Sequence, residues 1–215
     1  MEDTEILNLW KSYDKKLEHS LMINRQNVED ITKMKIRSLL ASMTPLKIFT
    51  VLTGIAWVAF VDILVVNLFH VASPFFLISA GFQSLLTTLA IGIYLYQLIV
   101  IQRWDVDEPI LATQQNIVRL KLSTLWIDRI LFLQLPAWTT FYWNKNMFTN
   151  GSAIFIQLII SGIFTFAAIW LFFNIKYENR DKKWLRFIFS GQEWNSLIKA
   201  MQLLKENEES NFESE

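Results

Sequence analysis

Four long apolar stretches divide the chain. They cover about residues 48–69, 75–101, 125–143 and 153–175, and the segments around them are polar or mixed in charge. A helix needs roughly 20 apolar residues to cross the ~30 Å hydrocarbon layer of a bilayer, so each stretch predicts a transmembrane helix. The second and fourth runs carry no charge. The first is interrupted by Asp62 alone, and the third holds Asp128 and Arg129 near its start. Pro136 lies inside the third run and predicts a kink there. Thr44-Pro45 and Ser73-Pro74 read as helix starts, because a hydroxyl satisfies free backbone N–H groups and proline suits the first helical position. Asn150-Gly151-Ser152 reads as a turn before the fourth run. The expected fold class is all-α: an integral membrane four-helix bundle with N- and C-terminal cytoplasmic amphipathic helices.

Basic residues set the expected orientation. Eight lie in residues 1–47, three in 102–124 and seven after residue 175, so eighteen of the twenty fall on one side. That side is assigned to the cytoplasm of an inner membrane, with both termini on it. Phe75, Phe76, Tyr142 and Trp143 are expected at the outer interface, and Trp104, Trp126, Trp170 and Tyr177 at the inner one. Composition agrees: the chain is 53% hydrophobic and 19% charged, against about 25% charged in a soluble domain. Its formal net charge of zero gives no basic excess, so no nucleic acid is expected. With no cysteine, disulfides and thiolate chemistry are excluded.

Helices in lipid associate through small and polar side chains. Ala80, Ser84, Thr88 and Gly92 recur at a spacing of four, as do Ala153, Gln157, Ser161 and Thr165. Such spacing puts each set on one helix face, and the two faces are expected to be the seams of the bundle. A carboxylate is costly in hydrocarbon. Asp62 is therefore expected to face the interior, in an intramembrane polar cluster with Gln83, Ser84 and Ser161. Asp128 and Arg129 are read as snorkelling to the interface.

The remainder is expected to be cytoplasmic. In residues 1–47, Leu7, Trp10, Leu17, Leu21, Asn24, Val28 and Ile31 follow a seven-residue repeat, with Tyr13 beside it. Asp14 and Lys35 interrupt the seam. Such a pattern suits pairing with another helix, so Leu7, Trp10, Tyr13, Leu17, Leu21 and Asn24 are the candidate partner-binding residues. Lying against lipid is the alternative. In residues 176–205, Lys176, Arg180, Lys182, Lys183, Trp184 and Arg186 read as an anchor to anionic lipid headgroups. Ser190 to Glu193 reads as a capping box, starting an amphipathic helix with Trp194, Leu197, Ile198, Met201 and Leu204 on one side. The acidic tail, 206–215, is expected to be disordered. The acidic loop residues Asp105, Asp107 and Glu108 read as solvated.

No catalytic or cofactor pattern appears. His19 and His70 fall on opposite sides of the expected bilayer, and the glycines are scattered singly. No enzyme activity, metal or cofactor is expected. The stretch Leu9-Trp10-Lys11-x-Tyr13-Asp14-Lys15-Lys16-Leu17-Glu18, followed by Leu21 to Asn24, resembles the start of uncharacterised multi-span inner-membrane proteins of Bacteroidota. That resemblance covers about the first 60 residues and implies a bacterial source. Genes of such proteins often lie near transcription regulators, including sigma factors, so it also implies a regulatory partner. The expected function is that of a non-enzymatic inner-membrane protein. Its cytoplasmic helices would bind a partner or self-associate into a homo-oligomer, in regulation or signalling. The alternative is a small transporter or channel component built around Asp62.

Overall fold

A computed structural model describes residues 2–104, 109–149, 151–179, 182–188 and 191–212. Its regular structure is helical throughout. The α-helices are α1 (Glu2–Ala41), α2 (Thr44–Leu68), α3 (Pro74–Arg103), α4 (Ile110–Phe132), α5 (Leu135–Thr140), α6 (Gly151–Asn174), α7 (Lys183–Ile188) and α8 (Gln192–Phe212). Short 3-10 turns at Lys145–Thr149 and Tyr177–Asn179 join them. The acidic loop of Asp105, Asp107 and Glu108, together with Asn150, Arg180 and Ser190, lies outside the described residues.

Three helical rods among the described residues are long and apolar enough to cross a membrane: α2 (continuing from α1), α3 and α6. Only 11%, 28% and 11% of their most apolar windows are buried inside the protein. Apolar surface on that scale is stable against hydrocarbon and costly against water.

The third apolar run behaves differently. α4 ends at Phe132, Leu133 and Gln134 turn, and Pro136 stands in the first turn of α5. The expected kink falls at these two residues, which keep right-handed helical geometry, and α5 stops at Thr140 instead of 143. Proline supplies no N–H and its ring presses on the carbonyl four residues back. The Gln134 side chain fixes the turn, donating from Nε2 to Thr87 Oγ1 of α3 at 3.1 Å. α4 starts well before the apolar run, at Ile110, and its first turns carry Gln114, Gln115, Asn116 and Arg119.

Helix starts divide in the same way. Ser73 caps α3: its Oγ accepts from the Phe76 N–H at 3.2 Å and donates to the Trp143 carbonyl at 3.0 Å. Thr44 does not cap α2. Met43 precedes it in right-handed helical geometry, φ −82° and ψ −20°. Backbone bonds from Met43 N to Leu40 O and from Lys47 N to Met43 O, both 3.1 Å, carry the helical pattern across the joint. No free helix start remains to be capped there. α1 and α2 form one nearly continuous rod.

The packed core sits at the end of the bundle where α1 meets α2. Ile36, Leu40 and Met43 meet Ile101 and Trp104, Ile117 and Leu120, Ile175, Leu185, and Trp194, Leu197 and Ala200 there. The C-terminal part of α1 lies on α8, and α8 lies on α4. At the opposite end Phe75, Trp143 and Phe148 pack ring against ring. Of the small-residue stripes, Ala80, Ser84 and Ser161 are buried, while Thr88, Gly92 and Thr165 are exposed. Thr88 and Thr165 return their hydroxyls to the Ser84 and Ser161 carbonyls of their own helices. The stripes therefore serve as seams over part of their length only. α8 continues to Phe212, through residues expected to be disordered. A Lys205–Glu209 pair at 3.4 Å and the buried Asn207 accompany the extra turns; i,i+4 pairs of this kind support exposed helix.

Candidate functional site

The densest polar constellation lies inside that core, around a lysine. Lys47 stands one turn into α2 and is 0% exposed. Its Nζ donates to Gln97 Oε1 of α3 at 2.6 Å and to Glu193 Oε2 of α8 at 2.9 Å. It also lies 5.1 Å from the centre of the Tyr94 ring, within cation–π range. Gln97, likewise 0% exposed, donates from Nε2 to Ser123 Oγ at 2.8 Å and to Thr124 Oγ1 at 3.2 Å, both on α4. Asp128, one turn further along α4, interacts electrostatically with Lys47 and Glu193. Ser42 and Ser196 approach within 3.4 Å beside it. One buried cation thus ties together α2, α3 and α8, and through Gln97 also α4. A desolvated ammonium is stable only when its donors are satisfied, and here α3 and α8 supply the partners. The arrangement holds α8 to the bundle.

Sequence reasoning placed Lys47 among the flanking positive charges and Asp128 at the interface. The structure puts both in the cluster. The available signals were Lys47 directly beside an apolar run and Gln97 as a lone amide near the end of α3. Arg129 is half-buried at the edge of the core: its Nε donates to the carbonyl of the core residue Ile175 at 2.8 Å, and its guanidinium lies over Trp126 at 5.3 Å.

The expected Asp62 cluster is only partly assembled. Ser84 Oγ donates to Asp62 Oδ1 at 2.7 Å. Gln83, Ser84 and Ser161 are buried, but Asp62 itself is exposed at the edge of the α2–α3 contact instead of lying in the interior. Helix phase explains the correction, because Val61, one residue away, occupies the inward position. Gln83 Oε1 and Ser161 Oγ have no hydrogen-bond partner. In the expected headgroup anchor, Lys176, Lys182 and Lys183 are exposed. Trp184 instead turns inward, with its ring 4.9 Å from Trp170 and packed on the core. The side chain of Arg186 lies outside the described residues.

The N-terminal arm is the second candidate. α1 is buried only from Lys33 onward, where Lys33, Ile36 and Leu40 meet the core. Before that point the expected pairing residues stand in the open. Leu7, Trp10, Tyr13, Leu17 and Leu21 are 55%, 73%, 64%, 59% and 59% exposed, and Asn24 is exposed too. α8 meets α1 only along its C-terminal part, on the side of Lys33, Ile36 and Leu40, and residues 5–28 are exposed on every side, the seam included.

Among the described residues, no group of three histidine, cysteine, aspartate or glutamate side chains is placed to hold a metal. No protein-family model, curated protein or solved structure matches this chain.

Proposed function

We propose that this chain is a non-enzymatic inner-membrane protein that presents α1 as a helical arm for pairing with another helix, in regulation or signalling. In this reading four segments cross the bilayer, the fourth contributed by α4 and α5 together, and both termini are cytoplasmic. The observation that carries it is the bare seam of α1, whose apolar residues recur every three or four positions yet touch nothing in the monomer. A lone amphipathic helix has little reason to form in water unless its apolar stripe is covered. The basic flanks support the orientation, and the clamp on α8 supports a firm base for the arm.

The chain has no cysteine of its own, so a single cysteine at Leu17 or Leu21 reports on that seam without background. In intact membranes, a bifunctional reagent is expected to trap Leu17→Cys with another helix and to leave His19→Cys, off the seam, untrapped. Replacing Trp10, Leu17 and Leu21 together with alanine is expected to abolish every capture made through a cysteine at Val28. Unchanged capture by that triple variant would overturn the proposal. The transporter reading has less support, since Asp62 is exposed and holds only Ser84 of its expected cluster.

A further inference from the structure

Resting on the arm reading above, we infer that the partner of α1 is a different helix and not a second copy of this chain: an apolar heptad strand carrying a basic residue opposite Asp14 and an acidic one opposite Lys35. The observation is the placement of charge on the seam. Leu7, Asp14, Leu21, Val28 and Lys35 occupy one set of core positions seven residues apart, and Trp10, Leu17, Asn24 and Ile31 occupy the other. Asp14 and Lys35 are exposed with the rest of the seam.

Two copies anchored in one bilayer send their arms the same way, because α1 runs into α2 across only Ser42 and Met43. Parallel copies in register would set Asp14 against Asp14 and Lys35 against Lys35, like charges at core positions where water is thinned. Sliding one copy by a heptad does not help. Asp14 would then meet Leu7 or Leu21 and lose its hydration with nothing in return. The flanks point the same way. One edge of the seam carries Lys11, Glu18 and Arg25, while the other carries Ile6, Tyr13, Ser20 and Asn27. In a parallel pair these edges face each other, so copies gain no ion pair across the interface. A partner whose facing edge is acidic opposite Lys11 and basic opposite Glu18 would gain two. Asn24, at a core position, suits an amide on the partner and fixes the register.

The test uses the full chain in nanodiscs holding one copy each. The probe is a synthetic five-heptad peptide with a leucine and isoleucine core, asparagine opposite Asn24, glutamate opposite Lys35, and either arginine or glutamate opposite Asp14. The arginine peptide is expected to bind about tenfold more tightly than the glutamate peptide, the size of effect one opposed charge pair gives at a partly desolvated seam. Asp14→Arg is expected to reverse that order. In membranes, Leu17→Cys is expected not to cross-link to itself while Asp14 is present. Self-cross-linking of Leu17→Cys with Asp14 intact would overturn the inference and leave helix pairing standing, as would equal binding of both peptides. Failure of both peptides together with no self-cross-link would sink the arm reading itself.

Discussion

Lys47 shows how one side chain decides the way helices meet. An ammonium at 0% exposure is stable here because Gln97 and Glu193 accept from it. Removing the cation leaves a carboxylate and an amide oxygen facing apolar neighbours. Lys47→Ala is expected to cost about 3–5 kcal/mol, as for other broken buried pairs, and to free α8. Thermal unfolding in mild detergent measures the first effect, and the rate of proteolysis within α8 measures the second. The double change Lys47→Met with Glu193→Leu is expected to recover most of the lost stability, because an apolar pair of similar volume needs no donors. If the double variant unfolds as easily as Lys47→Ala, the cluster does not act as a clamp. Little of this site was legible in advance. Its members come from residues 47, 97, 128 and 193, and a sequence does not show which distant polar groups will share a buried point.

At the scale of elements, hydropathy was a good guide wherever the run was long and uninterrupted. α2, α3 and α6 follow their apolar stretches closely. The third run was harder to bound because its polar lead-in is already helical and the helix is interrupted just before Pro136. The phase of Asp62 was also out of reach, since an apolar helix with little periodicity does not reveal which side faces inward. The contact of α2 with α3 gives a sharp test of packing. A Cβ at Gly54 would lie 3.1 Å from the Ile91 side chain. Gly54→Val is expected to push the two helices apart and cost about 1–3 kcal/mol, typical of overfilling a packed contact. Gly92→Val, where nothing lies within 4 Å, is expected to be close to neutral. Equal unfolding temperatures for the two variants would contradict this packing.

For the whole molecule, the decisive property is how it sits in the bilayer. The short connections, the positive flanks and the exposed apolar belts of α2, α3 and α6 support an arrangement with α1 and α8 on one side and Lys145 on the other. A tag inserted after Lys145 is expected to be labelled only from outside the cell, and a C-terminal tag only after permeabilisation. Labelling of both tags from one side would contradict the four-crossing arrangement and turn one segment into a surface helix.

The joint at Ser42 and Met43 has a mechanical consequence. At 1.5 Å per residue, Trp10 lies about 50 Å from Met43, so a tilt of about ten degrees of the whole α1–α2 rod about that point swings that indole through about 9 Å. A movement of α2 too small to disturb neighbouring lipids thus becomes a displacement as wide as a helix at the tip. The stiff arm works as a pointer, and what it can touch is set by how its root leans.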